Sequence, residues 1–162
     1  MKVIELSGIA DMALRLGAAL IIGSILGLNR ELHGKAAGLR THALVCLGAA
    51  VAALVSIHSP TGIMASDPNA ISRIIQGILT GIGFLGAGVI LRDPAGHITG
   101  LTTAATIWVC AVLGVVCGLG YWSILIIAVG LALIALLLGK AVERFAMRLF
   151  KRNQTGPPDH SV

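Results

Sequence analysis

Charge is what this sequence has least of. Only 12% of its 162 residues are Asp, Glu, Lys or Arg. A soluble domain carries about a quarter. With 56% hydrophobic residues and a mean hydropathy of +0.93, that shortage excludes an ordinary water-soluble globule. It implies a surface that mostly faces lipid. Cysteine is confined to Cys46, Cys110 and Cys117, each inside an apolar run. There is no C-x-x-C and no Cys/His cluster at zinc spacing, so the thiols read as small packing residues. Nor does the N-terminus read as a cleavable leader. Asp11 and Arg15 interrupt the first apolar run, and no small-x-small site follows it. No nucleophile, base and orienting group fall into a catalytic pattern. The expectation is a non-enzyme without a cofactor, and nothing points to nucleic acid.

What is present is length without charge. Five apolar stretches run from Ile9 to Leu28, Thr41 to Ile57, Ser72 to Leu91, Leu101 to Gly118 and Tyr121 to Gly139. Each is near the ~20 residues that cross a bilayer core as a helix. Backbone amides in lipid must bond within their own segment, which favours helices over strands. The expected fold class is all-α: a polytopic membrane helix bundle of about five transmembrane helices with glycine-rich packing. Residues 1–139 form the membrane domain, and residues 140–162 a basic tail.

The connections set an orientation. Arg30, Lys35 and Arg40 lie in the first, Arg92 in the third, and Lys140, Arg144, Arg148, Lys151 and Arg152 in the tail. Five spans put these nine of the 12 Lys and Arg on one side. The positive-inside rule makes that side cytoplasmic and places the N-terminus outside. In the tail, Val142, Phe145, Ala146 and Leu149 share a helical face away from most of the basic residues. It fits a helix lying along the anionic inner surface or a solvated stop-transfer cap. The last residues, NQTGPPDHSV, have a disordered composition.

The stretch GIGFLGAG at 81–88 contains G-x-G-x-x-G, a dinucleotide-binding pattern. That motif must follow a strand, open a helix and have an acid about 20 residues on. Here it sits inside a spanning run, and the matching region is TTAATIWVC. The glycines read instead as packing positions. On a wheel of about 100° per residue, Gly77, Gly81 and Gly88 share one side and Gly83 and Gly86 lie elsewhere. Ile75, Ile78, Ile82, Leu85 and Val89 form a third face. This predicts a central helix held by two glycine faces, with the aliphatic stripe toward lipid and Phe84 filling a gap beside a neighbour. Small residues matter because lipid provides no hydrophobic drive between helices. Gly23 and Gly27 of the first helix, and Gly114 of the fourth, are further packing positions. The fourth helix has a seam of Thr103, Thr106, Cys110, Gly114 and Cys117, with Trp108 opposite. The second offers His42, Cys46, Ala49, Ala53 and Ser56. The fifth is apolar nearly all round and is expected at the periphery.

Polar groups gather at the inner end: Arg30, Glu31, Arg40, Thr41, His42, Arg92, Asp93, Thr102 and Thr103. They read either as headgroup anchors or as a small polar site at the mouth of the bundle. Magnesium wants an array of oxygen ligands, and three acids against nine basic residues do not make one. Arg30 with Glu31, and Arg92 with Asp93, are expected to pair. Spare guanidinium groups suit phosphate or an acidic partner. Asp11 and Arg15 form an i,i+4 pair near the outer end.

Four blocks occur in order: NRE at 29–31, AGLRTH at 37–42, GIGFLGAGVI at 81–90 and GLTTAATIW at 100–108. In these the chain resembles the bacterial MgtC/SapB family, as a short form without the C-terminal soluble domain of longer members. The resemblance implies an inner-membrane protein linked to magnesium limitation, acid stress and survival in host cells, regulatory rather than transporting. It carries over Arg30, Glu31, Arg40, Thr41, Gly81, Gly83, Gly86, Gly88, Thr102 and Thr103. Partners are then the lipid bilayer and another membrane protein or a second copy. A small magnesium or proton transporter, and a protein binding lipid headgroups or phosphate, are the competing readings.

Overall fold

A computed structural model of the chain describes residues 6–58, 68–92 and 96–153. Five helices follow one another: α1 (Leu6–Leu32), α2 (Leu39–Ile57), α3 (Pro68–Val89), α4 (Leu101–Leu119) and α5 (Trp122–Asn153). All five contain spans long and apolar enough to cross a membrane, so the chain is a multi-pass, all-α membrane protein. Between α3 and α4 sits a small hairpin that the apolar pattern did not announce. Its strands β1 (Leu91–Arg92) and β2 (Ile98–Thr99) pair antiparallel, Leu91 opposite Thr99. Two compact units are present, Met1–Val129 and Gly130–Val162. The second is the remainder of α5, helical to Asn153. The tail side chains from Lys140 onward, and the residues after Asn153, lie outside those described.

The core of the first unit is α2 and α4. More than half of α4's span is buried, 56%, against 6% for α3. The central helix is therefore α4, not the glycine-rich α3. The two small-residue seams are where periodicity put them. His42, Cys46, Ala49, Ala53 and Ser56 are buried on α2, and Thr103, Thr106, Cys110, Gly114 and Cys117 on α4, while Trp108 is exposed.

Glycine pairs four residues apart lock these helices together. A Cβ on Gly23 would lie 2.6 Å from the His42 carbonyl oxygen, and one on Gly27 2.7 Å from that of Gly38. On the other flank of α2, a Cβ on Gly114 would strike the Cys46 carbonyl and the Ala49 methyl. One on Gly118 would strike the Ala50 carbonyl and Ala53. Backbones this close gain dispersion contacts that lipid does not compete for.

The third helix reverses the expected arrangement. Ile75, Ile78 and Ile82 pack on the cluster of Ala49, Ala53, Ala111 and Val115. The aliphatic stripe thus faces the core rather than lipid. The physical reason is complementarity: α2 and α4 present small side chains, and bulky isoleucines fill the space above them. Gly77, Gly81, Gly83 and Gly88 have nothing within 4 Å of a Cβ position, so they pack against nothing in the described chain. Gly86 alone of that group is buried, and a Cβ on it would lie 3.7 Å from the Ala104 methyl. Phe84 fills no gap; it is exposed.

Candidate functional site: a buried arginine at the basic end

The first helix outruns its apolar pattern. The apolar pattern places Asn29, Arg30 and Glu31 in a loop after Leu28, yet α1 continues to Leu32. It ends in a Schellman motif: the Gly34 amide donates to the Glu31 carbonyl, and the Lys35 amide to the Arg30 carbonyl. Gly34 supplies the left-handed φ of 62° that the motif needs. The extra turn brings Arg30 inside the bundle and folds Lys35 back beside it.

Arg30 is only 5% exposed. Its Nη2 donates to Thr103 Oγ1 at 2.8 Å, across 73 positions of sequence. The network continues inward. The Thr106 hydroxyl lies 2.8 Å from the Thr103 carbonyl and 3.2 Å from His42 Nε2. His42 Nδ1 lies 2.9 Å from the Gly38 carbonyl, which can only accept, so Nδ1 carries a proton. In the neutral ring Nε2 is then an acceptor, and Thr103 O and Nε2 compete for the one hydroxyl hydrogen of Thr106. Cys110 Sγ donates to the His42 carbonyl at 3.5 Å.

Glu31 does not pair with Arg30. Its Oε2 accepts from the Leu39 amide at 2.8 Å and caps the start of α2. Gly38, the N-cap residue, makes no side-chain cap of its own. A Cβ there would lie 2.7 Å from that carboxylate oxygen, so glycine makes room for the cap. The expected Arg30–Glu31 pair fails because a free helix N-terminus outcompetes the guanidinium for this carboxylate.

The predicted polar cluster therefore splits. Arg30, Thr102 and Thr103 line one cleft of about 450 Å³, together with Lys35 and Gly100. Glu31, Arg40 and Thr41 line a second of about 360 Å³, which Lys35 also borders. His42 is buried and reaches Thr103 only through Thr106. Arg92 is exposed on β1, outside both clefts, and Asp93 lies outside the described residues. Sequence reasoning missed Lys35, Gly100 and Thr106 as members of the site. The signal for Lys35 was the glycine before it; Thr106 was visible one turn beyond Thr103.

At the other end Arg15 donates to Asp11 at 2.8 Å, as its spacing predicts, and also to the Gly118 carbonyl at the end of α4. It is the one salt bridge among the described residues. Among those residues no group of three His, Cys, Asp or Glu is placed to hold a metal ion. The three cysteines are buried and unpaired.

A model of the MgtC family matches residues 16–145. The chain belongs to the MgtC family. Protein SrpB of Synechococcus elongatus is 40% identical over 142 residues, 83% of this chain and 78% of SrpB. Protein MgtC of Salmonella typhimurium is 44% identical over 132 residues, 81% of this chain and 54% of that protein. An Escherichia coli relative bearing the name "Putative magnesium transporter YhiD" is 36% identical over 147 residues, 89% of this chain and 66% of its own. The chain thus spans about half the length of the Salmonella MgtC it matches. No solved structure matches it. All four blocks that carry the MgtC resemblance lie within the matched residues.

Proposed function

We propose that this MgtC-family chain is a non-enzymatic regulator in the bacterial inner membrane. It acts in adaptation to magnesium limitation or to acid and host stress, by docking a helix of another membrane protein. The N-terminus lies outside and the C-terminus in the cytoplasm, from the distribution of Lys and Arg. The magnesium link rests on the name of the Escherichia coli relative and, with the stress link, on the family resemblance.

One observation carries the docking. Within its helices the chain uses a glycine pair at a four-residue step three times: Gly23/Gly27, Gly114/Gly118 and Gly77/Gly81. Two pairs are closed by α2, and the third is open. Gly77 and Gly81, with Leu44 and Gly48, border a groove of about 410 Å³ along α2 and α3. In lipid such a face is suited to a second helix. A photoreactive residue at Leu44, exposed on the α2 side of the same groove, in magnesium-limited cells, is expected to crosslink to a second membrane protein; adducts with the chain itself alone contradict the reading. Transport is tested separately. Proteoliposomes are expected to show no magnesium flux, and a flux lost on Thr103→Val would replace regulation with transport.

A further inference from the structure

The cleft around Arg30 holds donors and cations, with no acid among its described lining residues. Arg30 is 95% buried, and its Nε is a buried donor without a partner. Buried polar groups are nearly always satisfied, and an unmatched buried cation is costly. The neighbouring carboxylate, Glu31, is committed to the start of α2.

The same cleft contains the N-terminus of α4, a 19-residue helix with no acid in its first turn. Its N-cap is Gly100, at φ 89° and without a side-chain cap. Any Cβ there would collide with the Val89 carbonyl, so Ser or Asp cannot sit at this position and cap the helix. The first-turn amides keep their unmet donors and the positive end of the helix dipole. Thr102 and Thr103 line the cleft and add hydroxyls, and Lys35 lines it beside Arg30.

We infer that this cleft is a binding site for a phosphate dianion, either inorganic phosphate or the terminal phosphate of a lipid headgroup. Two cations match two charges. A guanidinium, an ammonium, hydroxyls and helix amides approach from several sides, which suits a tetrahedral group of oxygens. The apolar lip of Leu91, Ile98 and Leu101, each more than half exposed, fits a cleft opening at the lipid boundary. The site is independent of the α3 docking face and stands or falls without it.

The full chain in neutral detergent is titrated by calorimetry with inorganic phosphate, at ionic strength held constant with chloride. Parallel titrations use short-chain phosphatidic acid and short-chain phosphatidylcholine. Saturable binding of one phosphate per chain is expected, weakened about tenfold by Lys35→Gln and on the order of 100-fold by Arg30→Gln. Binding of phosphatidic acid without inorganic phosphate also supports the site and assigns it to a headgroup. Equal binding of phosphatidylcholine, affinity unchanged in Lys35→Gln, or no binding of either phosphate overturns it. Lys35 is exposed, so its variant keeps the test decisive should Arg30→Gln fail to fold. A folded Arg30→Gln is expected to unfold no earlier than wild type in phosphate-free buffer, because it removes an unmatched charge; a role for Arg30 in holding the helices together predicts the reverse.

Discussion

The glycines of α1 and α4 and those of α3 obey one sequence rule and meet opposite fates. Gly23, Gly27, Gly114 and Gly118 have the α2 backbone where a side chain would go. Gly77 and Gly81 have open space. What separates them is the neighbour. The second helix is lined with Ala and Cys at its contacts and lets backbones approach. Over α3 the same small residues are already covered by Ile75, Ile78 and Ile82. A glycine pair in a membrane helix is thus a capacity for close approach, and the opposing surface decides whether the fold uses it.

Substitutions can break this contrast, and the largest effect belongs to the closed side. Gly23→Leu must push α2 away along its length. Overpacking costs about 1–3 kcal/mol and occasionally more; here backbone atoms already stand 2.6 and 2.8 Å from a Cβ, so the upper end applies and no monodisperse helical protein is expected on size exclusion and circular dichroism. A smaller loss tests the stripe. Ile78→Ala on the half-buried face is expected to cost about 1–2 kcal/mol in denaturant unfolding; a neutral result would return the stripe to lipid. Smaller again, Glu31→Ala removes the cap of α2 and is expected to cost about 1 kcal/mol, with Glu31→Gln largely restoring it because an amide oxygen still accepts. The smallest effect falls on the open side. Gly81→Leu is expected within about 0.5 kcal/mol of wild type, while its side chain fills the groove and abolishes the crosslinked partner.

The sequence made the helices and two of their faces legible. Spans of apolar residues give length directly, and the seams from His42 to Ser56 and Thr103 to Cys117 repeat small or polar residues at helical steps. The orientation of α3 was not legible, because glycine and isoleucine can each face either core or lipid in a membrane. Arg30 was hidden differently. Charge normally ends a span, so Asn29-Arg30-Glu31 reads as a loop, whereas the helix runs on until the Schellman turn at Gly34 stops it. Its partner Thr103 is 73 positions away, a pairing no local pattern contains. The hairpin of Leu91–Arg92 with Ile98–Thr99 has two residues in each strand, too few for alternation to register.

The most direct test of the contrast between closed and open glycines sets Gly81→Leu beside Gly114→Leu in one detergent unfolding series. Both change the same residue to the same residue within a spanning helix. The account predicts a Gly81→Leu midpoint indistinguishable from wild type and a Gly114→Leu protein already unfolded at the start of the series. Loss of folding in both, or in Gly81→Leu alone, would contradict it.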